Sequence, residues 1–88
     1  MIERTVLISN RRGLHARASA KFVTLASSQS ASVEVEKDGS KVAGTSIMGL
    51  MMLGAAMGDS VTISAAGDGA DAALEALCGL VENKFGEE

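Results

Sequence analysis

Ser32-Val33-Glu34-Val35-Glu36-Lys37-Asp38-Gly39-Ser40 is the stretch from which the fold can be read. Val33 and Val35 point one way while Ser32, Glu34 and Glu36 point the other, the period of a strand with one dry face and one wet face. Asp38-Gly39 is the residue pair of a tight hairpin turn, whose backbone needs positive φ. A short second strand, Lys41 to Ala43, should then run back beside the first. The implied sheet is antiparallel and covered on one side only.

Moving toward the C-terminus, Ser46 to Leu53 reads as a short helix opened by a serine N-cap. Ser60-Val61-Thr62-Ile63-Ser64-Ala65 alternates again, with Val61, Ile63 and Ala65 facing inward. Ala70 to Phe85 reads as a helix in which Ala70, Ala73, Leu74, Leu77, Val81 and Phe85 share a face. Asp71 and Glu75 suit its positive end, Lys84 its last turn, and Gly86 its termination.

Toward the N-terminus, Ala16 to Ser27 is helical, with Ala18, Phe22, Leu25 and Ala26 on one face. Asn10-Arg11-Arg12-Gly13 reads as a loop, Gly13 permitting a backbone conformation that other residues resist. Arg4 to Ile8 reads as a strand with Val6 and Ile8 inward. The element order is β-α-β-β-α-β-α. This predicts an α+β open-faced sandwich: a four-stranded, mainly antiparallel sheet with three helices on one face. With 88 residues, a single domain spanning 1–88 is expected.

Composition excludes several classes. There is no tryptophan or tyrosine, and Phe22 and Phe85 are the only aromatic residues, so stacking on bases is not available. The net charge of −3 also argues against nucleic acid as a partner. No apolar run is long enough to span a membrane, and the alternating start does not read as a signal peptide. Cys78 is the one cysteine, so no internal disulfide forms, which fits a reducing cytoplasm. The charge is uneven. Arg4, Arg11, Arg12, Arg17 and Lys21 fall early, opposed there only by Glu3. From Asp59 onward Asp59, Asp68, Asp71, Glu75, Glu82, Glu87 and Glu88 face only Lys84. Two readings stand: ordinary solvated surface, or a basic face around His15 suited to a phosphate and an acidic partner.

His15 is the sole histidine and lies where a loop meets a helix. Considered alone, it is more readily a capping or surface residue than a functional one. Zinc is not expected, because no second histidine exists and Cys78 is far along the chain. No metal and no cofactor are therefore expected. The helix start does offer a specific chemistry. First-turn backbone N–H groups, those of Ala16 and Ala18 among them, could donate to a phosphoryl group on the ring. Arg17 could add a charge-assisted bond. The same positive end disfavours an imidazolium, keeping a ring nitrogen free to attack phosphorus. No glycine-rich loop followed by Lys-Ser or Lys-Thr is present, so ATP is not the expected direct donor.

Gly13-Leu14-His15-Ala16-Arg17 resembles the active-site signature of HPr, the histidine phosphocarrier family of the bacterial phosphoenolpyruvate-dependent phosphotransferase system. Ser46-Ile47-Met48-Gly49-Leu50-Met51-Met52-Leu53-Gly54 resembles the second signature of that family, its regulatory-serine segment. The resemblance covers essentially the whole chain. It implies that His15 accepts and donates the phosphoryl group through Nδ1, with Arg17 stabilising the phosphate. It implies Enzyme I as donor, EIIA-type proteins as acceptors, and HPr kinase/phosphorylase acting on Ser46. A monomeric carrier rather than an independent enzyme is expected. Sugar transport is one destination for the phosphate. A regulatory docking role in the nitrogen-related branch is the alternative. Ala18 stands where many family members have proline, which leaves the first turn less constrained.

Ser46 also has a plain structural reading as an N-cap. Ile47, Met48, Gly49, Leu50, Met51, Met52 and Leu53 exceed what one helix face can bury. Leu50 and Leu53 suit the core. Ile47, Met48 and Met51 are expected either in the core or as a partner-binding patch, where flexible thioethers suit a surface that fits several proteins.

Overall fold

A computed structural model describes residues 1–87; Glu88, counted above in the acidic half, lies outside the described residues. The elements in chain order are β1 (Ile2–Leu7), α1 (Ala16–Ser27), β2 (Ser32–Lys37), β3 (Ser40–Ala43), α2 (Ile47–Met52), β4 (Ser60–Ala66) and α3 (Ala70–Glu82). The strands form one sheet in the order β1-β4-β2-β3, and every neighbouring pair is antiparallel. The open-faced α+β sandwich expected from the alternation is the fold.

The hairpin centred on Asp38-Gly39 forms as its sequence predicts. Lys37 pairs with Ser40 across Asp38 (φ 51) and Gly39 (φ 84), the two positive angles that match a turn to the twist of its strands. Val33 and Val35 are buried, as are Val6, Val61, Ile63 and Ala65 on the same face of the sheet. Ala18, Phe22, Leu50, Leu74, Leu77 and Val81 of the helices complete this core. The other face is mostly polar, with Glu3, Glu34 and Glu36 on it and Thr5 and Thr62 hydrogen-bonded across the β1–β4 pair at 3.0 Å.

Most elements end within one residue of the sequence reading, and two, β1 and α3, depart further. β1 runs from Ile2 to Leu7 rather than from Arg4 to Ile8. Ile8 is fully buried beyond the strand, and its backbone joins Gly58 and Asp59 at 2.8 Å each. The larger correction is at the last helix, which stops at Glu82 and not at Phe85. Asn83 closes it by donating to the Gly79 carbonyl at 2.9 Å. Lys84 and Phe85 then adopt φ of 56° and Gly86 a φ of 75°, so Lys84 lies past the helix.

For the two non-glycine residues that left-handed turn costs about 1–2 kcal/mol each. Burial of the Phe85 ring, which is 1% exposed, returns roughly 1.5–3 kcal/mol. The Lys21 ammonium donates to the Phe85 carbonyl at 2.8 Å, a charged hydrogen bond of about 1.5–3 kcal/mol. The gains match the cost. The turn directs the C-terminal residues back toward the start of α1.

Candidate functional site

The loop between β1 and α1 is locked before it reaches His15. Gly13 has φ +63°, and a Cβ built on it would lie 2.3 Å from the Ala55 oxygen and 2.8 Å from the Ala56 Cα. Only glycine allows that approach. The neighbouring Leu14 is buried. Its N–H donates to the Ala55 carbonyl at 3.0 Å, and its carbonyl accepts from Ser19 Oγ at 3.2 Å. The residue that follows this anchored pair is His15.

His15 is the N-cap of α1, with extended backbone angles of φ −76° and ψ −179°. Its Nδ1 accepts from the Arg17 backbone N–H at 3.3 Å. Its Nε2 lies 2.7 Å from Glu87 Oε2. These two partners choose the tautomer. An amide N–H only donates, so Nδ1 presents its lone pair; a carboxylate only accepts, so Nε2 carries the hydrogen. Burial works against the charge on Glu87, but the hydrogen bonds from His15 and Asn10 and the nearby charges of His15 and Lys21 outweigh it and lower the Glu87 pKa. A view of the ring built on the helix end alone omits this carboxylate.

Ala16, Arg17 and Ala18 occupy the first turn of α1, ahead of the first helical bond from Ser19 N to the His15 carbonyl at 2.9 Å. Their N–H groups are those that a helix start leaves for a cap or an anion. Of these, the Arg17 amide is the one that meets Nδ1, alongside the expected Ala16 and Ala18. Arg11, Arg12, Arg17 and Lys21 line one shallow depression of about 350 Å³ with Gly86 and Glu87. The early basic residues thus converge beside the histidine, except Arg4, which lies on β1.

Ser46 caps α2: its Oγ accepts from the Gly49 N–H at 3.0 Å. Leu50 is fully buried and Leu53 nearly so, whereas Ile47, Met48 and Met51 are 40%, 69% and 41% exposed. Met52, on the same short helix, and Met57, in the turn before β4, are also exposed. α2 packs against α1, and the Leu14–Ala55 bond ties the segment after α2 to the histidine loop. The patch therefore adjoins the site. Cys78 is buried on α3, where burial pushes its thiol pKa up. Among the described residues no group of histidine, cysteine, aspartate and glutamate gathers that could hold a metal ion, and no helix is long and apolar enough to cross a membrane.

Two residues of the site escaped the sequence reading. The sequence places Asn10 only in a loop and Glu87 only in an acidic stretch, yet the Asn10 amide donates to Glu87 Oε1 at 3.2 Å. A contact between residues 77 positions apart leaves no local pattern.

Residues 2–83 match the family model described as the PTS HPr component phosphorylation site. The chain is 44% identical to the phosphocarrier protein NPr of Shewanella violacea over 86 residues, covering 98% of this chain and 94% of that one. It is 47% identical to the phosphocarrier protein HPr of Neisseria meningitidis over 89 residues, covering 99% and 98%. The crystal structure of HPr-C-His from Thermoanaerobacter tengcongensis superimposes with a TM-score of 0.95 at 51% identity, over 100% of this chain and 99% of that one.

Proposed function

The chain belongs to the HPr family of phosphocarrier proteins, and from that membership we propose that His15 takes a phosphoryl group on Nδ1 and passes it on. Phospho-Enzyme I of the phosphoenolpyruvate-dependent phosphotransferase system is the donor, and EIIA-type proteins are the acceptors. The observation that carries this reading is the pair of contacts on the imidazole: Arg17 N–H at Nδ1 and Glu87 at Nε2.

The transfer follows from that geometry. The Nδ1 lone pair attacks phosphorus. The bond from phosphorus to the donor breaks, and the donor keeps its electron pair. The ring becomes cationic as the bond forms, and the Glu87 carboxylate 2.7 Å from Nε2 is placed to balance that charge. The phosphoryl oxygens take the first-turn N–H groups, including those of Ala16 and Ala18, and the Arg17 guanidinium. Each helix-end contribution is about 0.3–1 kcal/mol at an exposed site, enough to orient the group without trapping it. Delivery to an acceptor runs the same steps in reverse.

Ile47, Met48 and Met51 form the docking patch in this reading. Phosphorylation of Ser46 by a kinase of the HPr kinase/phosphorylase type would add about −2 charge beside that patch and weaken docking of an acidic partner. The likeness to a phosphocarrier named NPr favours a second reading, in which phosphorylation chiefly selects regulatory partners. Incubation with phosphoenolpyruvate and Enzyme I tests the reading common to both. It should give an acid-labile, base-stable phosphate that is lost in His15→Ala. Retention of the label in that variant would overturn the assignment.

A further inference from the structure

Asn10 has no exposed surface, an uncommon position for an amide. Its Nδ2 donates to the Gly13 carbonyl at 2.9 Å and to Glu87 Oε1 at 3.2 Å. Both partners are acceptors, so the nitrogen and not the oxygen must face them. The other end of the amide is left worse off. Oδ1 is buried with no hydrogen-bond partner among the described residues, which is destabilising. What Asn10 contributes must therefore lie on its donor side.

That side leads to the histidine. Glu87 divides its oxygens, Oε1 to Asn10 and Oε2 to His15 Nε2. The backbone that delivers Glu87 is set by the left-handed turn, the buried Phe85 and the Lys21 contact on its carbonyl. The aim of the carboxylate is then set by the amide beside it. Resting on the phosphocarrier reading of His15, we propose that Asn10 is a positioning residue of the phosphoryl site, holding Glu87 so that the ring keeps its hydrogen on Nε2 and its lone pair on Nδ1. The relay has the logic of a nucleophile oriented by a second group that is itself held by a third. It differs in that the outermost member is an uncharged amide, which steers the carboxylate without neutralising it.

The test reads the tautomer directly. Long-range ¹H–¹⁵N spectra of His15 in the full chain, taken where the ring is neutral, need no phosphoryl donor. The wild type should show the Nε2–H pattern alone. Asn10→Leu keeps the shape, deletes the donor to Glu87 and removes the unpaired buried oxygen. It should shift both ring nitrogens toward a mixture of tautomers, and slow phosphoryl acceptance roughly tenfold to a hundredfold with KM for the donor unchanged. In a Glu87→Ala background the same substitution should move the ring signals no further. An unaltered wild-type pattern in Asn10→Leu overturns the proposal, as does an equal shift in both backgrounds, which would assign the effect to the Gly13 contact. If Asn10→Leu fails to fold, Asn10→Ser, too short to reach Glu87, carries the same cycle. A wild type that takes no label on His15 fails the carrier reading instead, an outcome separate from the spectra.

Discussion

Glu87 Oε2 lies 2.7 Å from Nε2 of His15, a contact that joins two residues 72 positions apart. It ties the last described residue to the first residue of the α1 cap and engages the ring nitrogen opposite Nδ1. The lowered pKa of Glu87, with burial opposing it and the His15 and Asn10 hydrogen bonds leading the favourable side, makes this contact dependent on acid.

The sign of that dependence is fixed by linkage. A carboxyl group whose pKa falls on folding stabilises the native state at pH values above its unfolded pKa of about 4.3. The contribution is lost as pH falls through the lower native value. Glu87→Gln should therefore be less stable than wild type near neutrality, and the gap should close progressively as pH falls below the unfolded carboxyl range. Urea unfolding across that range measures it. A gap that stays constant with pH would show that charge on Glu87 contributes nothing.

Gly13 and Gly54 make a matched pair for separating backbone strain from collision. Their φ values are +63° and +66°, but a Cβ at Gly54 meets nothing within 4 Å while one at Gly13 lies 2.3 Å from the Ala55 oxygen. Gly54→Ala should cost about 1–2 kcal/mol, the left-handed penalty. Gly13→Ala carries that penalty and must also push away the backbone that accepts from Leu14 N, so its cost should exceed about 2 kcal/mol. Equilibrium denaturation of the two variants gives the difference directly. Equal losses would mean that the loop yields freely at Ala55.

The elements that were legible in the sequence are those whose signals are local. The α1 limits, Ala16 and Ser27, coincide with a change of hydrophobic period, and Asp38-Gly39 states its own turn. The end of α3 is not legible because Val81 and Phe85 stand four apart, as they would on one helical face. Phe85 is indeed buried, but it reaches the core through a left-handed turn that periodicity cannot register. The basic residues of the site were visible as a biased count. Asn10 and Glu87 were not, since their roles exist only once β1, α1 and the C-terminal turn are packed together.

Ser46 combines two properties that substitution can separate. As the N-cap of α2 its Oγ accepts from Gly49 N at 3.0 Å, so Ser46→Ala should cost about 1 kcal/mol. Ser46→Asp keeps an acceptor at the cap and should preserve most of that stability. It also places a negative charge beside the exposed Ile47 and Met48, and should weaken binding to Enzyme I at low salt, with the difference shrinking as salt rises. Thermal melts check the first claim and titration calorimetry the second. Unchanged affinity at low salt would remove the electrostatic basis for regulation at this serine.

Met48 decides whether the apolar surface of α2 is a docking patch or merely tolerated exposure. It is 69% exposed, while Leu50, two residues on, is 0% exposed. A charge at Met48 therefore buries nothing, and Met48→Asp should alter stability by no more than about 0.5 kcal/mol. Leu50→Asp would place a carboxylate in the core and should prevent folding, which marks the boundary of the patch. If partners dock on Met48, the Met48→Asp variant should show a KM for phospho-Enzyme I raised about tenfold, equivalent to roughly 1.4 kcal/mol of lost docking energy. Its rate at saturation should be close to wild type, because His15 and its contacts are intact. Steady-state transfer at varied donor concentration separates the two terms. A fall in the saturated rate with KM unchanged would count against docking at Met48 and would point instead to a disturbance of the α1–α2 packing beside the histidine.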